Sequence, residues 1–181
     1  MSKGKTFAWG RNHRGQLGIG SKENQYSPQV IDNAKERFIK VACGYNFSLG
    51  LSAGNRVYFW GNFKYSGNAG RGDLDEPQAV QGLEDVKDIA CEYKYCLALV
   101  ERDKKSELKK WGKYLADKLE PKADKKATGG DYEVKIYSPE IFPALRHRTN
   151  LHFESVFTGP NHSCGINSQN GKVYVWGHNN V

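Results

Sequence analysis

Apolar and polar residues alternate in short bursts along this chain, and no segment sustains the period of an amphipathic helix with caps. Three bursts align without gaps, at residues 38–51, 86–99 and 153–166. Apolar residues recur at the same offsets in all three: Phe38 and Val41, Val86 and Ile89, Phe153 and Val156. A small residue recurs near each end, at Gly50, Ala98 and Gly165. Runs this short, rich in Val, Ile, Phe and Tyr and punctuated by Gly and Asn, predict strands. A further strand is expected at Val57-Tyr58-Phe59-Trp60 and at Val173-Tyr174-Val175-Trp176. The turns ahead of them, Ser52-Ala53-Gly54-Asn55 and Asn167-Ser168-Gln169-Asn170-Gly171, carry hairpin chemistry, because Gly and Asn tolerate positive φ.

Each predicted strand of the second kind ends in the same dipeptide. Trp9-Gly10, Trp60-Gly61, Trp111-Gly112 and Trp176-Gly177 contain all four tryptophans of the chain, and their spacings are 51, 51 and 65 residues. Self-similarity near 50 residues marks a repeat architecture, in which one repeat cannot bury its apolar face alone. Three repeats follow, at about 9–59, 60–110 and 111–175, in one domain spanning 1–181. A glycine pattern trails the first two dipeptides, at Gly15, Gly18 and Gly20 and at Gly67, Gly70 and Gly72. It lacks the spacing of a dinucleotide fingerprint and the Lys-Ser/Thr of a P-loop, so it reads as turns that let backbone pass close to a neighbouring repeat. A proline, Pro28, Pro77 or Pro139, is expected at or near the start of the next strand in each interval.

Trp9-Gly10-Arg11-Asn12-His13-Arg14-Gly15-Gln16-Leu17-Gly18-Ile19-Gly20 closely resembles the repeat signature of the regulator of chromosome condensation family. So do Val41-Ala42-Cys43-Gly44 and the run from Gly171 to Gly177. Kelch arrays share the period but pair their glycines ahead of a Tyr and a Trp, and the only Gly-Gly here is Gly129-Gly130. The resemblance implies an all-β, seven-bladed β-propeller of four-stranded blades, of which this chain supplies about three as a partial ring. An open arc exposes sheet faces and edges, so the remaining blades or a completing chain are expected as partners. Three departures stand out. Glu92 replaces Gly44 and Gly159 and loses their backbone freedom; only His162 keeps the family's histidine, with Phe47 and Tyr95 in its place elsewhere; and the glycine pattern is absent after Trp111-Gly112.

Net charge is +7, from 27 Lys and Arg against 20 Asp and Glu. Residues 101–126 alone hold ten basic and six acidic side chains. The third interval is longer by 14 residues, and we read about 118–135 as a lysine-rich loop insertion on one rim of the propeller. Lys122, Lys125 and Lys126, with the separate cluster Arg146, His147 and Arg148, are the candidate partner-binding residues, suited to a protein with an acidic surface. Neither cluster is interleaved with aromatics, which argues against sequence-specific recognition of nucleic acid. A solvated loop of nearly balanced charge is the competing reading.

No catalytic constellation, metal-ligand spacing or cofactor motif emerges. Cys43, Cys91, Cys96 and Cys164 fall inside the strand blocks and read as small apolar fillers, and His162 as a packed or hydrogen-bonded residue. No secretory signal or membrane-spanning run is visible, which predicts an intracellular protein without choosing between cytoplasm, cytoskeleton and nucleus. The expected function is a non-enzymatic scaffold that binds proteins through its rims. The resemblance also implies two alternatives: nucleotide exchange on a Ran-like small GTPase, or the regulatory propeller of a multidomain ubiquitin ligase or kinase.

Overall fold

The computed structural model describes residues 4–32, 36–66, 72–102, 105–112, 140–141, 152–159 and 162–177. Strands and turns dominate them, with one 3-10 turn at Phe63–Tyr65 and no helix long and apolar enough to cross a membrane. The first sheet pairs β1 (Phe7–Gly10) with β2 (Gln25–Val30). The second is β3 (Phe38–Cys43), β4 (Phe47–Ser52), β5 (Val57–Gly61) and β6 (Leu74–Ala79). The third is β7 (Val86–Glu92), β8 (Tyr95–Arg102), β9 (Lys105–Gly112) and β10 (Glu140–Ile141), and the fourth is β11 (Phe153–Thr158), β12 (His162–Asn167) and β13 (Val173–Gly177). Every sheet is an antiparallel meander in chain order.

The aligned blocks are thus the first two strands of the second, third and fourth sheets, and Trp-Gly closes the third strand of each. Each 51-residue interval runs out of one sheet and into the next. The hairpin chemistry read from the turns holds: Asn55 has φ 59° and Gly171 φ 66°, and Asn55 N–H bonds Ser52 C=O at 3.0 Å. Pro28 and Pro77 depart from expectation, and Pro139 lies outside the described residues. Pro28 and Pro77 sit inside β2 and β6, which are edge strands, where a residue without an N–H leaves no inner ladder bond unmade.

Neighbouring sheets stack through their first strands: β7 lies on β3 and β4, and β11 on β7 and β8. Phe47, Leu49, Leu51 and Phe59 of the second sheet meet Val86, Ile89 and Trp111 of the third, each at most 2% exposed. Ala90, Leu99 and Leu108 meet Phe153 and Val156 of the fourth, and Ile31 meets Phe38, Tyr58 and Trp60 between the first two. Each aliphatic side chain buried this way contributes about 1.5–3 kcal/mol. Packing between sheets is therefore what holds each repeat, as the periodic sequence demands.

The repeated small residues have a steric cause. A methyl at Gly50 would stand 2.7 Å from the Phe38 ring, and one at Gly165 2.6 Å from the Phe153 ring. The third sheet carries Val86 where those phenylalanines stand, and there Ala98 fits. The glycine of Trp-Gly answers a different need. Gly61 and Gly112 take φ of 103° and 99°, and a Cβ on either would meet the carbonyl oxygen of Asn46 or Lys94 at 2.5 Å. Gly18 allows the loop from the first sheet to cover Trp60, because a Cβ there would reach the indole at 2.8 Å.

Two expectations about small residues are corrected. Gly44 and Gly159 have no positive φ; they are glycine because the rings of Phe47 and His162 lie across them, at 2.3 and 2.9 Å from where a Cβ would be. Glu92 therefore costs ring space, not backbone freedom. Cys43 is exposed and fills no core, whereas Cys96 is buried and Cys91 and Cys164 are half-buried. His162 is exposed and makes its contact with Gly159 through its ring.

Candidate interaction surface

In an up-and-down meander, successive turns lie at alternate ends of the sheet. One rim therefore gathers the β3–β4 and β7–β8 tips, the loop after β1 and the loop after β5. The other gathers the β4–β5 turn, the β12–β13 turn and the links from one sheet to the next. On the first rim Tyr45 and Tyr93, 57% and 46% exposed, face each other with ring centroids 4.6 Å apart. Lys94 holds its ammonium 4.4 Å from the Tyr93 centroid, and Tyr45 N–H bonds Tyr93 C=O at 3.1 Å, joining adjacent tips. Arg11, His13, Arg14 and Lys64 are exposed on the same rim. Slight desolvation and the charges of Arg11 and Arg14 hold His13 below its ordinary value, against the pull of Asp73. Arg14 pairs with Asp73 at 3.1 Å and ties the two loops together.

Between the rims, the first strands share a buried clamp. Each bulges near its start, and the residues aligned there are Lys40, Asp88 and Ser155. Asp88, 5% exposed, accepts the Lys40 ammonium of the second sheet at 2.5 Å on Oδ1. The same oxygen accepts Ile89 N–H, and Oδ2 accepts Val156 N–H of the fourth sheet at 2.9 Å. One carboxylate thus joins three sheets. Farther along, the Tyr95 hydroxyl meets Ser163 Oγ at 2.7 Å, and burial pushes the phenol above its ordinary value. Sequence spacing brought these positions into alignment but gave no sign that a lysine in one repeat pairs with an aspartate in the next.

The candidate binding residues Lys122, Lys125, Lys126, Arg146, His147 and Arg148 lie outside the described residues. The chain leaves β9 for the first cluster at Gly112, on the rim that carries Tyr45 and Tyr93. After the second cluster it resumes at His152, which accepts Ser168 N–H at 2.7 Å on the opposite rim. Of the repeat-marking residues, Trp60 and Trp111 are 2% exposed and Trp176 is half-buried, whereas Trp9 is 61% exposed. Among the described residues no three His, Cys, Asp or Glu side chains are grouped to hold a metal.

Residues 3–51, 38–66 and 153–181 match models of the regulator of chromosome condensation (RCC1) repeat. The chain belongs to this repeat family. Over 98% of its length it is 27% identical to the human E3 ubiquitin-protein ligase HERC2 and 31% identical to the human probable E3 ubiquitin-protein ligase HERC6. It spans only 4% and 17% of those proteins. Its fold is similar to human WBSCR16 (TM-score 0.73, 22% identity, 98% of this chain and 44% of that one). It is also similar to Prp20p of Saccharomyces cerevisiae (TM-score 0.66, 23% identity, 96% of this chain and 41% of that one). The fold is accordingly that of the RCC1-type β-propellers, present as a partial ring.

Proposed function

We propose that this chain is a non-enzymatic, protein-binding part of a propeller that scaffolds an intracellular complex. The observation that carries it is the division of labour between the repeats. Residues that pack one sheet on the next recur, while rim residues around the tilted Tyr45–Tyr93 pair change from copy to copy, as at Gly44 against Glu92 and Asn46 against Lys94. The added segment of the third interval enters from that same rim, and its lysines suit a partner with an acidic surface. A regulatory role beside a ubiquitin-ligase catalytic domain is the favoured second reading, since the alignments to HERC2 and HERC6 cover nearly the whole chain. Exchange on a small GTPase has only the fold behind it; Prp20p is the relative whose binding to Gsp1p and histones has been described.

The test is capture of the tagged native protein at mild salt, beside a copy lacking residues 118–135 and a Lys122→Glu, Lys125→Glu, Lys126→Glu copy. A set of non-catalytic proteins lost with the insertion supports the scaffold. Ubiquitin-ligase activity in the captured polypeptide supports the second reading. A GTPase that binds best without nucleotide overturns both.

A further inference from the structure

We propose that Cys91 and Cys96 form a redox modification site: a facing pair of thiols that a small-molecule disulfide oxidises to an intramolecular bond, tying the base of the hairpin that presents Tyr93 on the rim. This goes beyond the scaffold reading and does not depend on it.

The aligned sheets show what is particular about the third. Cys43 faces Ser48 in the second sheet and Thr158 faces Ser163 in the fourth, whereas Cys91 faces Cys96. The hairpin tip sets the kind of pair. Gly44 N–H bonds Phe47 C=O at 2.9 Å, and Gly159 N–H bonds His162 C=O at 2.8 Å. Glu92 and Tyr95 hold the same aligned places in the third sheet. Hydrogen-bonded and non-hydrogen-bonded pairs alternate along an antiparallel ladder, so Cys91 and Cys96, one step further in, are a non-hydrogen-bonded pair. Facing Cα atoms of such a pair stand about 4.5 Å apart with their side chains close together. A disulfide spans Cα separations of about 4.4–6.8 Å, so the backbone needs no rearrangement to accept one. Both thiols also turn to the same side: Cys96 lies in the core with Phe47 and Phe59, and Cys91 packs against that core.

Access orders the chemistry. Cys91 is half-buried, whereas Cys96 is 0% exposed. Cys91 Sγ, as the thiolate, attacks one sulfur of the small disulfide. The S–S bond of the oxidant breaks, and the departing thiolate takes up the proton that Cys91 released. Cys96 Sγ then attacks the Cys91 sulfur of the mixed disulfide and expels the second small thiolate, which takes the Cys96 proton. Two protein thiols lose two electrons in all, and the small disulfide is reduced to two thiols. Burial pushes both protein thiols up, with Cys43 and Glu92 adding to the rise at Cys91 and Cys91 to that at Cys96, so the first step is slow.

The bond reaches the rim through the shortness of the tip. It closes a loop over residues 91–96, whose turn is Tyr93-Lys94. Tyr93 C=O accepts Tyr45 N–H at 3.1 Å, and the two rings lie 4.6 Å apart. Fraying of this tip frees the Tyr45 amide, and a staple at the base of the hairpin opposes the fraying.

The test equilibrates the full chain with oxidised glutathione, blocks the remaining thiols with N-ethylmaleimide and maps the cysteines by mass spectrometry. Trypsin cuts after Lys94, between the two cysteines, so the bond holds together two peptides that reduction releases. The linked Cys91 and Cys96 peptides are expected while the fluorescence of Trp60 and Trp111 stays native. Exchange of the Tyr45 amide is expected to slow by about tenfold on oxidation and to recover on reduction. Cys96→Ser, which places the residue found at Ser48 and Ser163, should stop at the mixed disulfide on Cys91, and Cys91→Ser should leave Cys96 a thiol. A native chain whose Cys91 stays a thiol, remains a mixed disulfide or links to Cys43 overturns the proposal. So do a Cys91–Cys96 bond that forms only as the native fluorescence is lost, a Cys96 that takes up glutathione in Cys91→Ser, and a Tyr45 amide that exchanges equally fast in both redox states.

Discussion

Replacing Asp88 with alanine removes the carboxylate that joins three sheets, and its cost follows from the geometry. Oδ2 accepts Val156 N–H at 2.9 Å, and with alanine that buried amide, beside a residue 0% exposed, has no partner. An orphaned buried donor costs about 1–3 kcal/mol, and bonds to a charged group contribute about 1.5–3 kcal/mol each. Lys40 recovers part of its hydration, since its side chain is 38% exposed, so the loss falls short of breaking a fully buried pair. Asp88→Ala should therefore destabilise by about 2–3 kcal/mol, a fall in Tm of roughly 5–10 °C for a chain this long. Thermal unfolding followed by fluorescence of the buried Trp60 and Trp111 measures it. Lys40→Ala should cost about 1 kcal/mol, because the two backbone donors to Asp88 remain. Amide exchange separates the two changes: Val156 N–H should lose protection in Asp88→Ala and keep it in Lys40→Ala. A Tm within about 1 °C of wild type for Asp88→Ala, or an unchanged Val156 amide, would refute the clamp.

Gly50→Ala should destabilise by about 1–3 kcal/mol by driving a methyl into the Phe38 ring, and Phe38→Val should rescue it, reproducing the Val86 and Ala98 pair of the third sheet; denaturant unfolding of the two singles and the double checks the coupling. Gly61→Ala combines φ 103° with a contact on Asn46 C=O and should cost about 3 kcal/mol or more, measured by the same unfolding. Burial raises the Glu92 carboxyl above its ordinary 4.5, opposed by a bond from the Tyr93 backbone. The native state then holds this proton more tightly than the unfolded one, so stability falls as pH rises from 4.5 through the native value. Glu92→Gln should flatten that slope, and Tm against pH for both proteins would show it.

The strands, their turns and the repeat period were legible because each rests on local chemistry: alternation, Gly and Asn at positive φ, and Trp-Gly at a fixed place in every sheet. The reasons for individual residues were less so. Gly44 and Gly159 look like turn glycines in sequence, yet they serve ring contacts that appear only when Phe47 and His162 fold back. Cys43 and Cys91 are indistinguishable by alignment, and only the stacking of β7 on β3 and β4 separates an exposed thiol from a half-buried one. The Lys40–Asp88 pair spans 48 residues, so no window of sequence contains it.

These failures have a common origin that bears on function. In a repeat array the sequence of one unit specifies its sheet, but the burial of each side chain is decided by the unit before or after it. Ile89, Val156 and Val41 differ little in chemistry, and their exposures of 0%, 0% and 48% follow entirely from what lies against them. A position can therefore be core in one copy and surface in another without a change of residue type. Positions where the copies do change type, Lys40 against Asp88 and Ser155, or Gly44 against Glu92, are the informative ones. There the chain departs from repetition to make a contact particular to one pair of sheets or to one rim. Mutagenesis aimed at binding should start from those departures and from the segment that enters at Gly112, because substitutions at the recurring positions will report on stacking whatever the partner is.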